Sequence, residues 1–172
     1  MKPRLAIRDL DDKRAYIGPV FRLRVLIHNT EQPGQVDEGV YTGGRHDGSL
    51  LQTLQAGSSS YTLAFSPNGG ILASGHKDGT IRLWQISDGR LFQTLKGHSG
   101  SVESVVFSAD GQLLASGSDD KTVRLWRVSD GTSLQTFKGH TVLVSSVTFT
   151  PDGQMLVSTS VDGAVRLWGI VP

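Results

Sequence analysis

Three tryptophans set the frame for this 172-residue chain. Trp84, Trp126 and Trp168 each stand 42 residues from the next. Each closes a segment of the same kind: Ile81-Arg82-Leu83-Trp84, Val123-Arg124-Leu125-Trp126 and Val165-Arg166-Leu167-Trp168. Ten residues before each tryptophan is a serine (Ser74, Ser116, Ser158), and six before it is an aspartate (Asp78, Asp120, Asp162). Twenty-eight residues before the last two lie His98 and His140, each behind a glycine, Gly97 or Gly139. The register runs over residues 47–172, nearly three quarters of the chain. Self-similarity at a fixed period of this length marks a repeat architecture.

The middle unit shows the parts of the repeat best. Val102–Ser108 is rich in β-branched and aromatic residues, and Ala109-Asp110-Gly111 then turns the chain. Leu113–Gly117 is a second run, closed by Asp119-Asp120-Lys121; Thr122–Val128 is a third, closed by Ser129-Asp130-Gly131; Ser133–Phe137 is a fourth. Asp-Gly pairs supply the positive φ that tight hairpins need. Four short strands per unit at a period of about 40–45 residues select a β-propeller among all-β folds. In the first full unit the same reading predicts strands at Tyr61–Phe65, Ile71–Ser74, Thr80–Ile86 and Leu91–Leu95, repeating at a shift of 42 residues. Three consecutive four-stranded antiparallel sheets are expected, with no helix of more than two turns between Leu50 and Trp168.

At these residues the sequence resembles the WD-repeat family. The Gly-His pairs, the serine, the turn aspartate and the tryptophan match its pattern one by one, and spacing, turns and strand character agree together. The resemblance implies an all-β partial propeller of about three blades with a degenerate fourth. It also implies a buried hydrogen-bond chain in each blade, running from Trp to Ser to His to Asp: Trp126, Ser116, His98 and Asp120, then Trp168, Ser158, His140 and Asp162. Two departures stand out. The aspartate expected after each tryptophan is Gln85, Arg127 or Gly169. The first unit has Ala56-Gly57 where Gly-His belongs, so Ser74, Asp78 and Trp84 are expected to form an incomplete network.

A serine, a histidine and an aspartate invite comparison with a catalytic triad. A hydrolase needs one serine activated by one histidine, beside an oxyanion hole. Here the set recurs once per unit together with an indole donor, which is the behaviour of a structural device. Other candidates are weaker. His28, His46 and His76 lack metal-ligand spacing and are expected to be solvated loop or strand residues. Asp9, Asp11 and Asp12 lack the glycine and distal Glu of a calcium loop. No phosphate-binding Gly-Lys-Ser/Thr motif occurs. Arg82, Arg124 and Arg166, two before each tryptophan, are expected to solvate a blade edge or to pair with acidic turns. No cofactor or metal site is expected.

Composition narrows the partners. Seventeen basic residues against sixteen acidic ones give no electrostatic case for nucleic acid or for a membrane surface. Without cysteine there are no disulfides or thiolate zinc sites. The first ten residues lack the apolar core of a signal peptide, no apolar run approaches the length of a membrane span, and a cytoplasmic location is expected.

Residues 1–46 do not follow the repeat and are expected to form an atypical leader, a degenerate blade with a long loop being favoured over a non-propeller segment. Tyr16–His28 alternates enough to hold one or two strands, Phe21–Val25 echoes the third strand of a unit, and Asn29–Gly44 reads as a loop. The array, 47–172, begins in a fourth strand at Ser49–Leu54 and ends in a third at Ala164–Ile170. Three or four blades are fewer than a propeller needs unless it has the smallest ring. The chain is therefore expected either to pair with a second copy that completes the propeller or to be a fragment of a longer protein. The functional expectation is a non-catalytic scaffold that binds other proteins; the alternative is a regulatory or sensory segment of a larger enzyme such as a kinase or NTPase. The residues that vary at one end of each unit, Tyr61, Glu103 and Ser145 with Lys77, Asp119 and Val161, are the candidate protein-binding surface.

Overall fold

The computed structural model describes residues 24–29, 36–41 and 52–170, in two compact units, 1–58 and 59–172. The described part of the first unit is one antiparallel sheet: β1 (Arg24–Asn29), β2 (Val36–Tyr41) and β3 (Gln52–Gln55), in that order across the sheet. Two expectations change here. The segment Asn29–Gly44 is not all loop, because β2 crosses its middle and pairs on both sides, with β1 and with β3. Val36, Val40 and Tyr41 suit a strand, and two flanking ladders satisfy its backbone despite Gly39 and two acidic residues. The place beside β3 belongs to β2, so Arg24 and Val25, the described end of the third-strand echo at Phe21–Val25, lie instead in β1, one place further from β3; Phe21–Leu23 lie outside the described residues. The fourth strand expected at Ser49–Leu54 is described as β3 from Gln52, while Ser49–Leu51 and the leader up to Leu23 lie outside the described residues.

The second unit holds three antiparallel sheets in chain order, and no helix interrupts them among the described residues. The first is β4 (Ser60–Phe65), β5 (Ile71–His76), β6 (Ile81–Gln85) and β7 (Leu91–Leu95). The second is β8 (Val102–Phe107), β9 (Leu113–Ser118), β10 (Thr122–Arg127) and β11 (Ser133–Lys138). The third has three strands, β12 (Val144–Phe149), β13 (Met155–Ser160) and β14 (Val165–Gly169). Each is a meander of sequential hairpins, and the 42-residue register carries over from strand to strand. This is the partial propeller of four-stranded blades that the repeat implies, with the last blade one strand short.

Side chains alternate across each sheet, so the middle one packs in two directions. Trp126 joins Ile81, Leu83, Leu95 and Val102 in the core between the first and second sheets. Val123 and Leu125, one residue out of phase, meet Val144, Val147 and Leu156 in the core between the second and third. Each such aliphatic side chain removed from water contributes about 1.5–3 kcal/mol before entropy is counted. Their equivalents on β14 have no such cover: Val165 is 64 % and Leu167 62 % exposed, against 0 % for Val123 and 2 % for Leu125.

Close sheet packing explains two glycines. A Cβ on Gly75 would come within 2.7 Å of Val102 Cγ1, and one on Gly117 within 2.6 Å of Val144 Cγ1. The third member of that column is Thr159, on the sheet that carries the uncovered Val165 and Leu167.

Candidate interaction face and the network behind it

In the second sheet the structure brings Trp126, Ser116, His98 and Asp120 together. Trp126 Nε1 donates to Ser116 Oγ at 2.8 Å, and Ser116 Oγ lies 2.7 Å from His98 Nε2. His98 Nδ1 lies 2.8 Å from Asp120 Oδ2. An indole can only donate and a carboxylate can only accept. The indole N–H therefore donates to the serine, and the Nδ1–H of His98 donates to the carboxylate. The third sheet repeats the network with Trp168, Ser158, His140 and Asp162 at 2.9, 2.7 and 2.9 Å, and there Arg166 Nη1 also lies against His140 Nδ1. Ser116 is fully buried, as is the His98 side chain.

The carboxylates also organise the turns. Asp120 Oδ1 accepts from Thr122 N and Thr122 Oγ1, while Oδ2 accepts from Ser99 N. Burial opposes the charge on Asp120, but the hydrogen bonds from His98, Thr122 and Ser99 outweigh it and hold the carboxyl well below the usual range. Asp162 is lowered in the same way: burial works against its charge, and His140, Thr141 and Ala164 outweigh it, with Arg166 Nη1 donating at 2.9 Å.

The first repeat, β4 to β7, differs from its expectation. His76 is fully buried rather than solvated, and it supplies a ring to the network. Its Nε2 lies 2.7 Å from Ser74 Oγ, which accepts from Trp84 Nε1 at 2.8 Å, and its Nδ1 lies 2.9 Å from Ser60 Oγ. The ring enters from β5 itself, whereas the later repeats take theirs from His98 and His140, whose counterpart in the sequence is Ala56. Asp78 is left out of this chain and binds Thr80 and Arg82 instead. Partial burial works against the Asp78 charge, yet those partners bring its pKa down to about 2. No periodic signal for His76 is present in the sequence, because Ser118 and Ser160 fill that column in the later repeats.

The six candidate surface residues fall into two repeating positions. Tyr61, Glu103 and Ser145 are each the extra residue of a β-bulge, skipped in the pairing of β4 with β5, β8 with β9 and β12 with β13. A bulge leaves its residue unpaired and re-aims its side chain. Lys77, Asp119 and Val161 open the turn after the second strand of each sheet, and each backbone N–H donates to the lead-in of its own sheet, at Ser59, Ser101 and Leu143. Tyr61 is 46 % and Val161 65 % exposed. Burial, and after it the charge of Asp119, raises the pKa of Glu103, so these two neighbouring positions sense each other.

The family model for the WD domain, G-beta repeat, matches residues 48–85, 89–127 and 131–169. The chain belongs to the WD40 family. Among curated relatives, Autophagy-related protein 16 of Arabidopsis thaliana is 38 % identical over 60 residues, which is 35 % of this chain and 12 % of that protein. WD repeat-containing protein 86 of Homo sapiens is 47 % identical over 38 residues, 22 % of this chain and 10 % of that protein. The Mitochondrial division protein 1 of Eremothecium gossypii is 53 % identical over 34 residues, 20 % and 5 % of the two chains. The matched stretches thus span about a tenth of these relatives or less. Within the WD40 frame, the column of strand arginines resolves into paired and unpaired members: Arg82 binds Asp78 and Arg166 binds Asp162, the pairing with acidic turns that the sequence suggests, whereas Arg124 binds no carboxylate among the described residues.

Proposed function

We propose that this WD40 array is a non-catalytic scaffold that binds protein partners through the face built by the three bulges. The observation that carries the reading is the contrast within each repeat. Ser, His and Trp are tied into one rigid network in every repeat, joined by Asp in the last two, while the bulged residue beside it changes from Tyr61 to Glu103 to Ser145 and stays outside the ladder. Burial of Ser116 and its bond from Trp126 leave its hydroxyl unavailable as a nucleophile, which supports the absence of hydrolase chemistry. Tyr61 is the anchor, since exposed aromatics often dominate interfaces. The experiment is affinity capture with the full chain, wild type against Tyr61→Ala and Lys77→Glu. Partners retained by wild type and lost by both variants support the face; equal recovery in all three removes it.

The bare face of β14 argues for a second copy as one partner. On the two covered sheets, this face receives the first strand of the next sheet. A second copy offers β4, with Leu63 and Phe65 in the columns of Val105 and Phe107. The fit is complementary in size: Gly75 and Gly117 face Val102 and Val144, while Thr159 would face Ser60. The larger residue on one side is matched by a smaller one on the other.

A further inference from the structure

Beside the loops of the second sheet lies an open hollow of about 380 Å³, lined by Lys121, Arg124 and Lys138 among others. Asp120 is the one carboxylate on its wall, and both its oxygens are committed to His98, Ser99 and Thr122. His140, also on the wall, is held by Ser158 and Asp162. Three cations therefore face the hollow against one internally satisfied anion.

Arg124 is the unusual member. Its equivalents donate to the aspartate four residues earlier, but no carboxylate lies within ion-pair distance of Arg124 among the described residues. Its guanidinium stands 5.8 Å from the Trp126 ring centroid, and a Cβ on Gly97 would lie 2.8 Å from Nη1. The group is thus held between an indole and a glycine, and its buried Nε has no acceptor. Arg82 Nη1 is also a buried donor without an acceptor, but the Arg82 guanidinium already holds Asp78, so Arg124 is the one of the two whose charge is left for an outside acceptor.

Lys121 points the same way. Its φ is +69°, in a column otherwise filled by Gly79 and Gly163 at +78° and +80°. A side chain is kept where the backbone favours none, and strain of that kind clusters at ligand clamps.

We propose that this hollow is a binding subsite for a phosphoryl dianion, gripped by Arg124 with Lys121 and Lys138. A planar guanidinium offers parallel donors to phosphate oxygens, and two ammonium groups balance the remaining charge. The site does not depend on the Tyr61 face, and its test needs no protein partner.

The test is a titration of the full chain with inorganic phosphate at constant ionic strength, tracking by NMR the backbone N–H groups of Ser99, Thr122 and Gly139 on the wall of the hollow, with chloride as the control anion. A phosphate-specific shift is expected, and Arg124→Gln should weaken binding about tenfold, as loss of a charge-assisted bond does. Lys121→Gly should weaken phosphate several-fold while the melting temperature stays level or rises, a split that a purely structural lysine would not give. A parallel arm with the blocked amide of O-phosphoserine separates the sources: tighter binding than phosphate assigns the site to a phosphorylated segment, and weaker binding to free phosphate. Absence of a phosphate-specific shift, or equal binding by wild type, Arg124→Gln and Lys121→Gly, overturns the proposal.

Discussion

His76 on β5 and Ser60 on β4 are paired across the first sheet and bonded through Nδ1 and Oγ at 2.9 Å, a link that neither later unit has. The later units place Val102 opposite Ser118 and Val144 opposite Ser160. The first unit thus reaches a ring-centred network by a local route, within one hairpin, where the others recruit a histidine from the loop between sheets. His76→Ala is expected to destabilise the chain by about 2–4 kcal/mol, through a cavity and an orphaned Ser74 hydroxyl. Urea denaturation measures it, and a loss below about half a kcal/mol would remove His76 from the network.

His98→Ala should cost about 1–3 kcal/mol, because Ser116 loses a hydrogen-bond partner and Asp120 a donor in a buried setting. The same substitution should leave the bulged face able to bind, provided the experiment is run well below the melting temperature. Paired denaturation and binding measurements check both parts.

Acid should act through the aspartates. The folded-state pKa of Asp78 is lowered from the ordinary 3.8 to about 2, and that of Asp120 is lowered too. A depressed carboxyl contributes stability that is complete above its unfolded pKa and is lost as pH falls through the folded one. Stability should therefore be level above about pH 5 and decline from near 3.8 downward, through about 2 for Asp78. Asp120→Asn should lower the plateau and flatten the decline. A variant as steep as wild type would contradict the role given to Asp120.

Gly117→Ala tests the packing between sheets. The added methyl would meet Val144 Cγ1 at 2.6 Å and Val147 Cγ1 at 3.1 Å, so β9 and β12 must part. Overpacking of this kind costs about 1–3 kcal/mol. Gly117→Ala with Val144→Ala should recover part of the loss, which a double-mutant cycle reads out.

Light scattering coupled to size exclusion tests association through β14. The wild type is expected to run as a dimer at micromolar concentration and Leu167→Glu as a monomer of 18.5 kDa. A monodisperse wild-type monomer would mean that the Val165–Leu167 face does not take a second copy.

Much of this fold is legible in the sequence because the same physical demands recur every 42 residues. Ser, Asp and Trp stay in register, and the strands of the first full unit, Tyr61–Phe65 to Leu91–Leu95 by sequence, lie within one or two residues of β4 to β7. What escapes is the part that breaks register. His76 reads as solvated because its column holds serine in the other units, and a residue alone in its column carries no periodic signal. β2 is hidden by Gly39, Asp37 and Glu38, whose low strand propensity is overridden by ladders on both sides. The bulges are invisible as geometry, although the residues they carry stand out by their variation. Arg124 looks identical to Arg82 and Arg166 in sequence; only the position of its guanidinium, away from Asp120, distinguishes it.

The opposed faces of the middle sheet make the second unit a chain of couplings between neighbours. Trp126 ties β10 to the first sheet, and Val123 and Leu125 tie the same strand to the third. The cores on its two sides share no residue, so the first sheet and the third communicate through the sheet between them. Energy in such an arrangement accumulates link by link, so the sheet with a single coupled neighbour and a bare outer face opens first. Backbone amides of β12 to β14 should then exchange with solvent ahead of those of β8 to β11, and any ligand seated on the last face would act as a brake on that fraying, stabilising sheets it never touches.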